Sequence, residues 1–302
     1  MNITTERYNL ICVEQGEGFL ITGYEGEGAI LDLSSDDRII GIEKKAFLCC
    51  RSIKKVFLPK SLKYIGEWAF SKCDNLQVVR ICGITRGQIF DRGVFDGCGA
   101  LREISFEDSD SDLSVLLAAS ISGINKEHLL RADDIGQRFW YDKWDISLLS
   151  LLHSDEVMGG NGAPMGGEED ISYDGVSSVD GEMPGPQKNH MKGIGKNKCS
   201  LCYLRLLHNS HLTEDKEEKI EEYIRDRAYS KHDDMSWVTL KEEYSRSPEW
   251  LDIYLSVVKP DKETILKMID DIGSDNIQLK AGLIDASGAT DTVSSPLDEL
   301  ML

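Results

Sequence analysis

One stretch of sequence decides the fold: Ile42-Glu43-Lys44-Lys45-Ala46-Phe47-Leu48-Cys49-Cys50-Arg51-Ser52-Ile53. It recurs 23 positions later as Ile65-Gly66-Glu67-Trp68-Ala69-Phe70-Ser71-Lys72-Cys73-Asp74-Asn75-Leu76, and a third copy follows at a spacing of 25 as Gly93-Val94-Phe95-Asp96-Gly97-Cys98-Gly99-Ala100-Leu101. The two extra residues of the longer interval fall within 82–87. Self-similarity at a fixed period of about 20 to 50 residues indicates a solenoid, in which each copy stacks on the next.

Each copy is followed by a short segment with alternating apolar residues, which predicts a β-strand. The apolar positions are Ile53, Val56 and Leu58, then Leu76, Val79 and Ile81, then Leu101, Ile104 and Phe106. A single unit cannot bury its apolar face, whereas stacked units bury it in a parallel sheet with strands about 4.8 Å apart. Cys50, Cys73 and Cys98 fall at equivalent positions, and we expect them to be reduced thiols in the core.

The repeated residues resemble the BspA-like leucine-rich repeat, whose pattern is I-G-x-x-A-F-x-x-C-x-x-L-x-x-V-x-L-P followed by S-L. The segment 53–66 matches that pattern nearly throughout. Glu43 replaces the usual Gly, and the third unit lacks both Ile-Gly and Leu-Pro. The resemblance implies a solenoid that opens with a strand at 19–24 and a first coil at 29–33. We therefore predict a leucine-rich-repeat domain with an N-terminal cap over residues 1–106.

The periodicity beyond residue 106 is helical, so the predicted fold class is α+β. We expect a helical segment at 107–153 that closes the open end of the solenoid, with the aromatic stretch 139–144 packed in its core. Residues 154–196 are predicted to form a Gly-rich acidic loop or linker, 197–286 a helical-hairpin domain, and 287–302 a tail. Segments 144–149, 167–170 and 202–208 resemble stretches of cytosolic leucine-rich-repeat proteins of gut clostridia that carry a helical C-terminal half. That resemblance implies architecture and no mechanism.

Capping residues predict where the helices of the second half begin. Helix starts are expected at Thr213, Ser247-Pro248, Asp261 and Ser274. Periodicity alone predicts further helices at about Lys126 to Arg131, from Lys198, and through Trp237, Leu240 and Tyr244. Gly273 is expected to end the helix that Asp261 caps. The last helix is predicted to bury Ile277, Ala281 and Ile284.

The charge balance disfavours two classes of partner. Fifty-three acidic residues against 34 basic ones give a net charge of −19, which repels phosphate backbones and anionic lipids. We therefore predict no nucleic-acid and no membrane partner, and any partner attracted by overall charge is basic. The start of the chain has neither a basic nor an apolar leader segment, which predicts a cytoplasmic location.

Candidate chemistry is sparse, and the sequence predicts no enzyme, no cofactor, no metal and no small-molecule substrate. Cys199 and Cys202 with His190, His208 and His211 contain zinc-ligand types, but Cys202 and His208 are closer together than zinc motifs require. Oxygen ligands for calcium are available at Glu168, Glu169, Asp170 and Asp174. Gly16-Glu17-Gly18 and Gly26-Glu27-Gly28 lack the third Gly of a nucleotide loop. A metal-dependent (Zn or Ca) regulator or enzyme with a site in 154–211 stays open as the alternative.

The residues that point away from the predicted core form the candidate site. They are Ile30, Asp32, Lys55, Phe57, Val78, Arg80, Glu103 and Ser105. An exposed aromatic beside Lys and Arg is typical of interface residues. We therefore predict a non-enzymatic interaction or scaffold module that binds a protein partner through this face and through the helical domain. Coverage of the face by the helical half is an alternative that the sequence leaves open.

Overall fold

The computed structural model describes residues 2–4, 8–82, 89–107, 109–124, 127–131, 133–157, 185–231, 233–273 and 276–288. The chain divides into two compact units. The repeat unit comprises residues 1–151 and 208–216, and the helical unit comprises residues 152–207 and 217–302. The predicted α+β class, a parallel solenoid followed by helices, is confirmed.

The repeat unit contains two sheets. In the described residues its strands are β1 (Asn2–Thr4), β2 (Tyr8–Gln15), β3 (Gly18–Gly26), β4 (Ile30–Asp32), β5 (Ile39–Ile42), β6 (Lys55–Leu58), β7 (Tyr64–Ile65), β8 (Val78–Ile81), β9 (Ile89–Phe90) and β10 (Glu103–Phe106). One sheet has the order β1-β2-β3-β5-β7-β9, and the other has the order β10-β8-β6-β4. The strands β1 to β3 pair antiparallel and cap the array, whereas all later pairs are parallel, as stacked coils require.

Backbone hydrogen bonds join the Ala-Phe turn of each coil to the turn of the next coil. The amides of Lys45, Phe47 and Cys49 donate to the carbonyls of Glu67, Ala69 and Ser71 at 3.1, 2.8 and 2.8 Å. The amides of Trp68, Phe70 and Lys72 donate to those of Arg92, Val94 and Asp96 at 3.1, 2.8 and 2.7 Å. Because alternate amides must point along the solenoid axis, two residues of each turn are left-handed, with φ between 56° and 72° at Lys45, Cys49, Trp68, Lys72, Gly93 and Gly97.

The repeated Phe and Cys side chains form the core between the two sheets. The rings of Phe47 and Phe70 stack with centroids 4.7 Å apart, and Phe95 continues the column at 5.6 Å. The Cys73 thiol donates to the Phe47 carbonyl at 3.1 Å, and Cys98 repeats this contact with Phe70 at 3.0 Å. Hydrogen bonding to the Cys98 thiol, and then burial, raise the pKa of Cys73 far above its ordinary value. The protonated thiol is therefore the donor. None of the eight cysteines, all of which lie in the described residues, forms a disulfide.

The Gly of the repeat is required by close approach between coils. A Cβ on Gly66 would lie 2.7 Å from the Lys44 nitrogen and 2.9 Å from the Glu43 carbonyl carbon. Glu43 occupies the equivalent position one coil earlier, where the preceding chain is strand β3 and not another turn. Its carboxylate accepts a hydrogen bond from the Tyr64 hydroxyl at 2.6 Å. Burial, and then this contact, raise the pKa of Tyr64 to about 12.

We expect Gly66→Ala to lower the free energy of unfolding by about 2 kcal/mol, because the added methyl group overlaps backbone that cannot move aside. Urea unfolding followed by circular dichroism measures this. Gly99→Ala is the matched control, since a Cβ there meets no atom within 4 Å. Equal unfolding midpoints for the two variants would contradict the close approach.

The segment after the repeats packs on the last strand of the solenoid. Helix α1 (Ser111–Ala119) packs on β10, and Asp110 caps it by accepting a hydrogen bond from the Leu113 amide at 2.7 Å. Helix α2 (Arg138–Val157) is hydrogen-bonded to α1, because the Trp144 indole N–H donates to the Leu116 carbonyl at 3.0 Å. Trp140, Tyr141 and Trp144 are buried in the core as predicted, whereas Phe139 of the same stretch is 46% exposed. The helix expected from Lys126 is a single 3-10 turn at Glu127–Leu130.

A segment from far along the chain belongs to the repeat unit. Residues 208–216, here called the strap, pair with both capping helices. His208 Nδ1 lies 2.9 Å from the Asp112 carboxylate, which also accepts from the Ser210 hydroxyl at 2.7 Å. Lys216 Nζ lies 2.7 Å from Asp142 and 3.2 Å from the buried Asp145. Burial of Asp112 acts to raise the pKa of its carboxyl. The hydrogen bonds from Ser210 and His208 together lower that pKa by more than burial raises it, so the net shift is downward.

We expect Asp112→Asn to destabilise the repeat unit by about 1 kcal/mol at neutral pH, because a charged acceptor is lost. A carboxyl whose folded pKa is lowered stabilises the fold above its unfolded pKa of about 4. This contribution declines as the pH falls below that value and is lost as the pH falls through the lower folded pKa. Urea unfolding at pH values of about 7 and 3 should therefore show a difference from the parent that shrinks at the lower pH. Asp37→Asn, at an exposed carboxyl, is the control, and a difference that persists undiminished in acid would contradict the assignment.

The helical unit contains six further helices in the described residues. They are α3 (Gly185–Leu207), α4 (Glu214–Asp226), α5 (Met235–Glu243), α6 (Trp250–Val258), α7 (Lys262–Ile272) and α8 (Ile277–Ala286). Helix α3 packs on α5 and α6, and α7 packs on α8. The ring of Tyr203 stacks on Trp250 with centroids 5.0 Å apart. Asp261 caps α7 through the Thr264 amide at 2.8 Å, and Gly273 follows its end, both as predicted.

Two helix predictions need correction. Helix α3 begins at Gly185, so residues 185–196 of the expected loop are helical, as are 154–157 at the end of α2. Residues 158–184 lie outside the described part of the chain. In α8 the buried residues are Leu279 and Leu283, whereas the predicted Ile277, Ala281 and Ile284 are all exposed, Ile277 by 79%. The sequence offers two apolar stripes, and the approach of Leu251 to Gly282 selects the one that lacks Ile277.

Ser274 lies outside the described residues, and Asn276 caps α8 by accepting from the Leu279 amide at 3.0 Å. Among the described helices, none combines the length and the apolarity that crossing a bilayer requires.

Candidate binding surface

The outward side of the four-stranded sheet carries two rows of side chains in register. Across β4, β6, β8 and β10 the first row is Ile30, Lys55, Val78 and Glu103. The second row is Asp32, Phe57, Arg80 and Ser105. The residues between them, Leu31, Val56, Val79 and Ile104, are buried. The structure thus brings all eight predicted residues together on one surface, which we call the row face.

Exposure varies across the row face. Ile30, Asp32, Lys55 and Arg80 are exposed, and Phe57, Val78, Glu103 and Ser105 are half-buried. Neighbours within a row are about 4.8 Å apart, the spacing of paired strands. Phe57 therefore lies between Asp32 and Arg80, and Val78 lies between Lys55 and Glu103. Apolar surface on this face is flanked by charge on both sides.

The acid at one side of the row face is held in place by its own turn. The Asp32 carboxylate accepts from the Ser34 amide at 3.0 Å and from the Ser34 hydroxyl at 2.6 Å. The Tyr8 hydroxyl donates to the Asp32 carbonyl at 3.2 Å, which fixes the end of β4. The position of this edge of the face is thus set before any partner arrives.

Sequence reasoning missed a second surface feature, around Trp68. The ammonium nitrogens of Lys44 and Lys45 lie over the indole ring, 4.7 and 5.1 Å from its centroid. A Cβ on Gly93 would come within 2.6 Å of the ring, so the indole lies against the next coil. Lys44 also pairs with Glu67. The left-handed φ at Lys45 and Trp68 creates this arrangement, and neither residue type signals that conformation in a sequence.

The residues of the alternative metal site are engaged in other ways where the structure describes them. Cys199 and Cys202 are fully buried in α3, and burial raises the pKa of Cys202, which opposes the thiolate that zinc requires. His208 pairs with Asp112, and the ring of His211 lies 4.8 Å from that of Tyr141. The side chains of 168–174 and of His190 lie outside the described residues. Elsewhere in the described chain, no three His, Cys, Asp or Glu side chains are grouped to hold a metal.

Gly16 and Gly18, the first of the two glycine pairs that resemble a nucleotide loop, have structural roles. Gly16 has φ of +61° in the turn between β2 and β3. A Cβ on Gly18 would lie 2.7 Å from the Arg38 carbonyl oxygen, so Gly18 permits close pairing with the first coil.

Comparison with known families agrees with the repeat geometry. The family model described as BspA type leucine rich repeat region matches residues 26–120 in six copies. The solenoid is a BspA-type leucine-rich repeat domain. The first matched residue ends β3, and the last lies just beyond α1, so the BspA-type match covers strands β4 to β10 and the capping helix. No curated protein matches the chain.

Solved structures of bacterial leucine-rich repeat proteins are similar to part of the chain. The T. pallidum leucine rich repeat protein is 28% identical over 32% of this chain and 47% of its own, with a TM-score of 0.27. A leucine rich cell surface protein of Faecalibacterium prausnitzii is 20% identical over 35% and 32%, with a TM-score of 0.29. A leucine-rich repeat protein of Bacteroides capillosus is 22% identical over 38% and 91%, with a TM-score of 0.28.

The chain spans less than half of the first two structures. Because the TM-scores are all below 0.5, the fold assignment rests on the BspA-type repeats and the strand pairing alone. The resemblance of the helical half to clostridial proteins stays a prediction.

We expect Phe57→Ala to lower the free energy of unfolding by less than about 1.5 kcal/mol, since its ring keeps contact with solvent. Val56→Ala should cost more, about 2 kcal/mol, because Val56 is fully buried and leaves a cavity. Urea midpoints of the two variants give the comparison. A larger loss for Phe57→Ala than for Val56→Ala would place Phe57 in the core and remove it from the row face.

Proposed function

We propose that the chain is a non-enzymatic interaction module that binds a protein partner through the row face. Leucine-rich-repeat proteins generally mediate contacts between proteins. The observation that carries the proposal is the register of the second row, which places Phe57 between Asp32 and Arg80 on adjacent strands. Aromatic and Arg side chains are enriched at the centres of protein interfaces, where a few residues dominate the binding energy.

The rigidity of the support favours binding on this face. Each strand of the row face is hydrogen-bonded to its neighbours, and buried residues such as Val56 and Val79 hold it from beneath. A partner therefore meets side chains on a preformed backbone, and the entropy lost on ordering is small. Cytoplasmic location remains part of the proposal.

The helical unit supplies additional surface to the same proposal. Leu266 on α7 is 47% exposed and Ile277 on α8 is 79% exposed. Helices α7 and α8 pack on each other, and we propose that these two exposed apolar side chains are where the helical domain contacts the partner. The row face is the primary site, and this pair is the secondary one.

We expect the variant Asp32→Ala/Lys55→Ala/Phe57→Ala/Arg80→Ala to lose at least one partner that the parent captures from native host lysate. Loss of an aromatic and an Arg from an interface centre weakens binding by about tenfold or more. Quantitative mass spectrometry of the captured proteins measures this.

The matched control removes the same kinds of side chain from exposed positions outside the row face: Leu48→Ala/Arg51→Ala/Lys63→Ala/Asp74→Ala. It should retain every partner, and both variants should show the parent's circular dichroism spectrum. Full capture of all parental partners by the row-face variant would rule out the proposed function.

A further inference from the structure

The charges on the row face are not evenly distributed. Its two cations, Lys55 and Arg80, lie on the central strands β6 and β8. Its two acids, Asp32 and Glu103, lie on the outer strands β4 and β10. The centre of the face is therefore positive, although the whole chain carries −19.

Lys55, Phe57, Val78 and Arg80 form a rectangle on strands β6 and β8. The two cations lie on one diagonal of it, and Phe57 and Val78 lie on the other. Lys55 is opposite Val78, and Phe57 is opposite Arg80. A strand spacing of about 4.8 Å and a rise of about 3.3 Å per residue put the two cationic positions roughly 8 Å apart. Both side chains are long enough to reach a single carboxylate placed between them.

Neither cation is already neutralised by the fold. Among the described residues, no ion pair or hydrogen bond involves the side chain of Lys55 or Arg80. Other bases of the repeat unit do have acidic partners, such as Lys60, which lies 2.6 Å from Glu107. In a chain with 53 acids, two adjacent cations without an acidic partner are available to a charge brought by a ligand.

We propose that the row face binds an extended peptide segment in which an Asp or Glu is flanked by apolar side chains. The carboxylate lies between Lys55 and Arg80, and the flanking side chains cover Phe57 and Val78. This inference rests on the proposed function and specifies its partner. It reverses the expectation from overall charge, which favours a basic partner, because repulsion from distant acids is screened beyond about 8 Å at physiological salt.

The size of the face favours a peptide over a second copy of the chain. Four strands of three to four residues present roughly 250 Å² at these spacings. A stable protein pair buries about 800 Å² on each partner. An extended segment of a few residues matches the smaller area, and its apolar side chains match Phe57 and Val78, which a phosphate group would leave uncovered.

The test selects random dodecapeptides displayed on phage against the immobilised full-length chain, and then measures synthetic copies of the selected peptides by fluorescence anisotropy. The parent should enrich peptides with Asp or Glu next to apolar residues. Lys55→Glu/Arg80→Glu should weaken those peptides at least tenfold, whereas the control Leu48→Ala/Arg51→Ala/Lys63→Ala/Asp74→Ala should bind them as the parent does. Both changed cations are exposed, so circular dichroism should confirm an unchanged fold.

The outcomes separate this inference from the proposed function. Basic or neutral peptides whose binding is lost in Asp32→Ala/Lys55→Ala/Phe57→Ala/Arg80→Ala would overturn the partner chemistry and leave the row face as the binding site. Failure to enrich any peptide would also overturn the inference, while lysate capture decides the proposed function. Acidic peptides that bind Lys55→Glu/Arg80→Glu with parental affinity would overturn the inference, because their site would lie elsewhere.

Discussion

The hydrogen bonds that run along the solenoid axis from turn to turn are the constraint on which the rest of the repeat unit depends. They require left-handed residues at two positions of every turn, and this costs about 1 to 2 kcal/mol at each one that is not Gly. Lys45, Cys49, Trp68 and Lys72 carry that cost. In return, every turn has the same length, so the Phe rings stack and the outward residues of successive coils fall in straight rows.

The repeats could be predicted because their signal is periodic and local. Ala-Phe, Cys and the alternating apolar residues recur at fixed spacing, and the side chain at each position makes the same type of contact in every coil. Glu43 illustrates the limit of such a pattern. It departs from the consensus because its neighbour below is a strand, and only the three-dimensional stack shows that no close approach occurs there.

Features that depend on distant contacts could not be predicted. The strap pairs His208 with Asp112, 96 residues away, through side chains that form no pattern with their neighbours. Helix α8 has two apolar stripes of similar strength, and the packing of Leu251 on Gly282 decides between them. The distribution of charge on the row face also depends on contacts between residues that are far apart in the sequence. The amino-acid composition gives only the net charge of the whole chain, whereas the strand register puts two cations at the centre of the row face and two acids at its edges.

The strap also has a consequence for how the protein is made. The chain leaves the repeat unit after residue 151 and returns to it only at residue 208. A ribosome must therefore add more than fifty residues after the last capping helix before His208, Ser210 and Lys216 can reach their acidic partners. A nascent solenoid spends that interval without the cation that later lies 3.2 Å from the buried Asp145. Each of the two units consists of two separate segments of the chain, so no truncation at a single position yields one complete unit without the other.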